Sequence, residues 1–507
     1  MANYPVIVGV GQHSKRPPST EEAIEPAEMM ALVARKAAED AGNPDLLAKL
    51  DSVQVVNILS WPYPDAPGLL ASKVGASPAH TLYAAVGGDS PQKLVNQAAQ
   101  DIVEGRIRLA LIAGAEAMHS RNQARSRNEQ LNWPIRGNPE HVFGDTRNGF
   151  TEVEARHLAV RPTSVYPLFE NAIRAHSGRS VAEHQAHLGR LCERFTQVAA
   201  RNPYAWFPRA RTAAELTKVG PSNRWVGFPY PKLMNAIMAV DQSAAVIMTG
   251  SETARDLGIP EEKWVYLHGT GEASEKWFVS DRVNYYTSPA IRAVTGRALS
   301  MAGLTVDDID MFDLYSCFPS AVQLALDALG MSADGPRPLT LTGGLPYAGG
   351  PGNNYVMHSI ATAVERLREK PEQKALVTGN GWFVTKHSAG VYSGRPPTGE
   401  WRRTDPQVDQ ARIDAEESPP FADEANGAAA IETYTVIFGR EGEPEHAIVI
   451  GRLDSGERPD GLAGARFFAN TPPDRELMLA MTREEYVGRT GRVTHDAATQ
   501  KNVFAPA

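Results

Sequence analysis

The sequence is written twice. One copy opens with Ala31-Leu32-Val33-Ala34-Arg35-Lys36-Ala37-Ala38-Glu39-Asp40-Ala41-Gly42, followed by Leu50-Asp51-Ser52-Val53-Gln54-Val55-Val56. Much further on, Val294-Thr295-Gly296-Arg297-Ala298-Leu299-Ser300-Met301-Ala302-Gly303 leads to Ile309-Asp310-Met311-Phe312-Asp313-Leu314. Both read as a helix closed by Ala-Gly, a short loop, an Asp and an apolar strand. Glycine suits the helix end because a positive φ is cheap there. A second pair agrees: Ala98–Glu104 leads to the strand Ala110–Gly114, and Ala361–Leu367 leads to Ala375–Gly379. The offset between copies is nearly the same for both pairs, which chance resemblance would not preserve. Duplicated alternation of helix and strand predicts two similar α/β halves packed together.

Between the copies, over about residues 120–235, the pattern breaks down into a stretch rich in Pro, Asn and aromatics, with Asn202-Pro203-Tyr204-Ala205-Trp206-Phe207-Pro208 and Phe228-Pro229-Tyr230-Pro231. It reads as a long excursion from the first half, with a helix around Ala182–Ala200, and long ordered excursions often carry function. The expected organisation is a first half over 1–250 including the excursion, a second half over 251–400, a polar, proline-containing linker over 401–426, and a further domain over 427–507. That last segment holds short strand-like runs at 430–438, 446–450, 465–469 and 486–493, the texture of a small all-β barrel.

Composition narrows the function classes. A formal charge of −8 argues against a nucleic-acid partner, which calls for a basic face. Cys192 and Cys317 are the only cysteines, too few for a disulfide framework or a four-thiolate zinc site, and they fit a reducing cytoplasm. Residues 1–11 lack the basic and apolar regions of a signal peptide, and no apolar run reaches membrane-span length. Cytoplasmic localisation without membrane insertion is the expectation.

The duplicated halves with a long loop in the first resemble the thiolase superfamily. Asn202-Pro203-Tyr204-Ala205, Asp241-Gln242-Ser243-Ala244-Ala245 and Gly114-Ala115-Glu116-Ala117-Met118 are similar to stretches of the sterol-carrier-protein type of thiolase. The likeness covers about residues 4–395. With the C-terminal β domain added, the chain resembles the thiolase-like protein type 1 group, a duplicated α/β thiolase fold plus a barrel.

The resemblance implies four functional positions: a nucleophilic cysteine at a strand-to-helix turn, a histidine that activates it, a second cysteine that moves the α-proton, and an Asn or His that polarises the thioester. Here the first turn is Val86-Gly87-Gly88-Asp89-Ser90-Pro91-Gln92, with Gly87 at the nucleophile position. In the loop Gly343–Gly352, Gly350 stands for the histidine. Asn380 stands for the second cysteine, and Tyr315-Ser316 replaces His-Asp ahead of Cys317. Glycine has no side chain to acylate, so classical thiolase activity is predicted absent.

Replacement chemistry has several candidates. Ser90 sits in a near miss to the Gly-x-Ser-x-Gly elbow, but Gln92 replaces the last glycine, and a helix N-cap with Pro91 as the first helical residue is the better fit. Tyr315 is a candidate acid or base, evenly balanced against a buried scaffold role, while Tyr355 fits the scaffold role better. His387 follows the Asn380 loop and is a weaker catalytic candidate; His268 is similar. Cys317 and Cys192 read as packing. Arg121, Arg125 and Arg127 offer cations for the phosphates of coenzyme A, or a solvated basic face. Gly9-Val10-Gly11 lacks the third glycine of a dinucleotide fingerprint, and His184-Gln185-Ala186-His187 lacks a zinc-helix spacing.

Three functions stay open. The first is a protein binding a coenzyme A thioester without acetyl-CoA acetyltransferase activity, with no covalent cofactor and no metal. The second is a C–C lyase (a retro-aldolase) or a hydrolase acting on an acyl-CoA through Tyr315, Ser90 or His387. The third is a non-catalytic binding or assembly module. The resemblance also implies a homodimer.

Overall fold

The computed structural model describes residues 3–456, 461 and 463–507. The first half supplies β1 (Pro5–Ser14), β2 (Ser52–Val55), β3 (His80–Tyr83) and β4 (Leu109–Ala117). After an excursion carrying the short β5 (Trp225–Gly227) and β6 (Tyr230–Pro231), it closes with β7 (Asp241–Gly250). The second half supplies β8 (Val265–Ser274), β9 (Met311–Asp313), β10 (Lys374–Gly381) and β11 (Lys386–Ser393). Together they form one sheet in the order β3-β2-β4-β7-β1-β8-β11-β10-β9.

The duplication is visible in that order. Outward from the centre, β1-β7-β4-β2 is mirrored by β8-β11-β10-β9. In both arms the successive pairings are antiparallel, antiparallel and parallel. The arms meet where β1 and β8 pair antiparallel at Val6↔Tyr266 and Ile7↔Val265. The first half carries one more strand, β3, at its outer edge.

Glycine pairs show how closely the copies agree. A Cβ on Gly9 or Gly11 would lie 2.0 or 2.1 Å from the carbonyl oxygens of Ala37 or Val33 in the helix Pro26–Asp40. In the second half, Gly269 and Gly271 stand in the same relation to Ala298 and Val294 of the helix Pro289–Ala302, both at 2.0 Å. These glycines let helix backbone rest on strand backbone, which is the physical reason for the Gly9-Val10-Gly11 motif.

Two further helices occupy equivalent places ahead of β4 and β10: Ser90–Val103 and Tyr355–Glu369, packed against each other at the centre. Pro91, Leu94, Val95, Ala98, Ala99 and Ile102 recur at helical spacing and are buried, as a core-facing stripe requires. The start of the first of these helices therefore lies inside the protein, between the halves.

The C-terminal domain is a closed five-stranded barrel of β12 (Gly427–Phe438), β13 (Pro444–Leu453), β14 (Arg466–Asn470), β15 (Thr490–Asp496) and β16 (Lys501–Pro506). The circuit runs β12-β13-β14-β16-β15 and returns to β12. Sequence texture missed β16, whose polar, short run carries few apolar residues. Closure leaves few open edges, and β5 of the excursion adds to β12 through Gly227↔Ile437.

The 401–426 stretch is not a bare linker. It holds the helix Gln407–Asp414, whose Asp409 accepts from Arg297 at 2.7 and 2.8 Å, while Trp401 is buried. Polar composition suggested a tether because its few apolar contacts, Trp401 and Ile413, are scattered too widely to mark a periodic face.

Candidate functional site

Two loops meet at the interface of the halves. Between β3 and the helix Ser90–Val103 the chain turns through Ala84–Asp89, with Gly87 at φ +156°. The Gly87 N–H donates to Asn353 Oδ1 (2.9 Å), and the Asn353 amide donates to the Asn57 carbonyl at 3.0 Å. The second-half loop that carries Gly350 thereby grips the first-half turn.

The helix start differs from the sequence reading. Asp89, not Ser90, holds the N-cap position, without a side-chain cap bond; Ser90 and Pro91 are the first two helical residues. The Ser90 hydroxyl is buried and donates back to the Ala85 carbonyl at 2.8 Å. A hydroxyl bonded to its own turn closes the backbone there.

The turn is tightly packed. A Cβ on Gly87 would lie 2.2 Å from Asp89 Oδ1 and 2.7 Å from Lys386 Nζ. One on Gly88 would lie 2.2 Å from the Tyr315 hydroxyl and 2.6 Å from the Asn380 carbonyl. On the facing strand, a Cβ on Gly381 would meet Asp89 Oδ1 at 2.2 Å. Lys386 reaches across to donate to the Val86 carbonyl, with Nζ 3.7 Å from Asp89 Oδ1. Both residues are buried, Lys386 at 4% and Asp89 at 3% exposure.

On the other face of β11, Asn380 and His387 are cross-strand neighbours. With Tyr315 they line a cavity of about 10 Å³, the scale of a single water. Asn380 Oδ1 and His387 Nε2 have no hydrogen-bond partner there. Burial pushes the Tyr315 hydroxyl well above the ordinary phenol range and holds the His387 imidazole down at about 4. Asn380 donates to the Tyr166 hydroxyl at 3.0 Å, and Cys317 is buried nearby with its thiol pushed up to about 12. Cys192, also buried, is pushed to about 12. Tyr355 bonds to Thr342 Oγ1 at 2.5 Å and to Asp313 at 3.1 Å, a fully engaged scaffold hydroxyl.

His387 gives a pH test. Its folded value lies below the unfolded one, so the stability it contributes is present above about 6.5 and lost as pH falls towards 4. In urea melts, the difference in stability between the native protein and His387→Gln is expected to shift by about 3 kcal/mol from pH 7 to pH 4. A difference that stays flat over that window would rule out a neutral, buried His387.

Gly350 donates its N–H to the Ile237 carbonyl at 2.8 Å, and a Cβ there would meet Leu345 at 3.3 Å. Arg121, Arg125 and Arg127 lie on the helix Met118–Arg127, and none lines the polar cleft beside the turn. His268 bonds to the Arg395 carbonyl, and His184 pairs with buried Glu170 at 2.6 Å. Among the described residues no cluster of His, Cys, Asp and Glu could hold a metal.

Lys386 and Asp89 border that cleft, about 710 Å³ in volume, whose walls include Lys93, Asp145, Arg147 and Glu272. Arg147 pairs with Asp145 at 2.6 Å and lies 4.0 Å above the Trp277 ring. Arg147 and neighbouring Lys386 hold the Asp145 carboxyl below its usual range.

The model of the thiolase C-terminal domain-like family matches residues 271–394, and that of the thiolase-like protein type 1 additional C-terminal domain matches residues 409–498. The crystal structure of a monomeric SCP2-thiolase-like protein type 1 from Mycobacterium smegmatis is 36% identical, covers 99% of each chain and superposes with a TM-score of 0.85. The chain belongs to the SCP2-thiolase-like proteins of type 1.

Two more distant likenesses frame this type 1 member. The Ltp2-ChsH2(DUF35) aldolase, 18% identical over 77% of this chain and 97% of that one with a TM-score of 0.60, shares the fold. An acetyl-CoA acetyltransferase of Methanothermobacter thermautotrophicus is 27% identical over 185 residues, 34% of this chain and 46% of the relative. The chain thus spans less than half the length of that curated relative, and 33% of a second, from Methanocaldococcus jannaschii.

Sequence reading of this type 1 chain singled out His387 and passed over its neighbour Lys386, because a lysine opening a strand ordinarily faces solvent. β11 is buried on both faces, and only the sheet order reveals it. Asp89 was read merely as part of the elbow motif; its signal is an acidic residue followed by Ser-Pro at a turn between two glycines and a buried helix.

Proposed function

We propose that this protein recognises a coenzyme A thioester and does not act as a thiolase. The observation that carries the reading is the closed turn at Gly87, where Asp89 and Lys386 occupy the space a nucleophilic side chain would need. The hydroxyl and thiol candidates near the turn do not replace it. The Cys317 thiol, pushed to about 12, stays protonated near neutrality, and the thiolate is the reactive form. The Ser90 hydroxyl is engaged with Ala85, and the Tyr315 phenol is too weak an acid to exchange its proton readily. Support for thioester recognition comes from the acetyl-CoA acetyltransferases it is similar to.

Incubation with acetyl-CoA followed by intact-mass measurement is expected to show no acyl-enzyme. Calorimetry with coenzyme A and acyl-CoAs is expected to give saturable heat. An acetylated Cys317 would refute the first half of the proposal. Absence of heat at millimolar ligand would refute the second and leave the binding-module reading.

A further inference from the structure

Among the described residues Lys386 is the one lysine with a buried side chain. Burying an ammonium costs several kcal/mol unless its protons are well matched. Here one carbonyl, that of Val86, accepts from Nζ, and the nearest carboxylate oxygen is 3.7 Å away, beyond hydrogen-bond length. That oxygen, Asp89 Oδ1, is itself buried and has no hydrogen-bond partner. Both residues line the 710 Å³ cleft, and with Lys93 they also line a small adjoining recess. An under-coordinated amine, an unpartnered carboxylate oxygen and a second cation beside an open cleft are the components of an amine that reacts with carbonyl groups.

We propose that Lys386 captures a small aldehyde or ketone as an imine in this cleft. Asp89 removes one proton from the ammonium, and the Nζ lone pair forms the C–N bond as the carbonyl π pair moves to oxygen. The oxygen takes up a second nitrogen proton to give the carbinolamine. Asp89 then returns its proton to that hydroxyl, the C–O bond breaks, and water departs as C=N forms. Ammonium and carbonyl become iminium and water, with no outside oxidant or reductant. This inference stands apart from coenzyme A recognition.

The test is reductive trapping on the full chain. Acetaldehyde, acetone and pyruvate are each incubated with the protein and sodium cyanoborohydride, and peptide mapping locates the secondary amine. With at least one probe, Lys386 is expected to be labelled far above every other lysine, which serve as internal controls in the same digest. Labelling at this position is expected to disappear in Lys386→Arg, and Asp89→Asn is expected to slow it about 100-fold, with thermal melts verifying that both variants fold. Labelling spread over surface lysines with Lys386 spared would overturn the proposal, and that outcome needs no variant. Trapping at Lys386 that proceeds at the native rate in Asp89→Asn would overturn the role of Asp89.

Discussion

Alanine in place of Arg466 is expected to destabilise the protein by about 3 kcal/mol, because a fully buried, hydrogen-bonded guanidinium is lost while half-buried Glu432 keeps Arg452 as a partner. Arg466 is fully buried at the seam between the barrel and the second half. It holds Glu432 with two bonds, 2.8 and 2.7 Å, within the barrel. Its Nη1 donates to the carbonyls of Ser280 and Arg282 in the second half, Nη2 also reaches the Val283 carbonyl, and the guanidinium lies 4.6 Å from the centre of the Tyr285 ring. Lysine cannot reproduce that planar fork, so Arg466→Lys is expected to recover only part of the loss. Urea unfolding followed by limited proteolysis provides the readout: early cleavage around residues 415–430 marks release of the barrel. A variant as stable as the native chain would show that the seam is held elsewhere.

The second large effect concerns the turn. Gly87→Cys puts the residue type of a thiolase nucleophile at the turn proposed to have lost it, and is expected to cost about 4 kcal/mol through overpacking and a positive φ. It is also expected to yield no acetyl-enzyme with acetyl-CoA. The new Cβ would lie within 2.7 Å of both Asp89 Oδ1 and Lys386 Nζ, and Gly350 provides no imidazole to activate a thiol. Thermal melting and intact-mass analysis read the two halves of this prediction separately. A well-folded variant that takes up an acetyl group would mean that the turn opens to admit substrate, and the filled-site account would be wrong.

Much of the architecture was legible before any coordinates. Helix-Ala-Gly-loop-Asp-strand, found once at Ala31–Val56 and again at Val294–Leu314, identified two α/β halves because that order and offset demand duplication. The barrel was readable from short runs between Gly, Pro and Asp turns, although β16 was not. The Gly87 turn was also found, since its strand, glycines and helix start are contiguous. What stood at that turn was not fully readable, because Asp89 is local but Lys386, which fills it from the other side, lies 300 residues from Val86, the residue it bonds.

The sequence by itself therefore determined the repeat, the fold and the bare glycine at the turn, all of which are set by local pattern and backbone conformation. Only the tertiary structure decided that Lys386 and Asp89 meet there, that Ser90 turns its hydroxyl to Ala85, and that Asn380 and His387 share one face. Those juxtapositions depend on the order of strands across the joined sheet. Strand order is fixed by packing between distant segments, and no local window of sequence carries it.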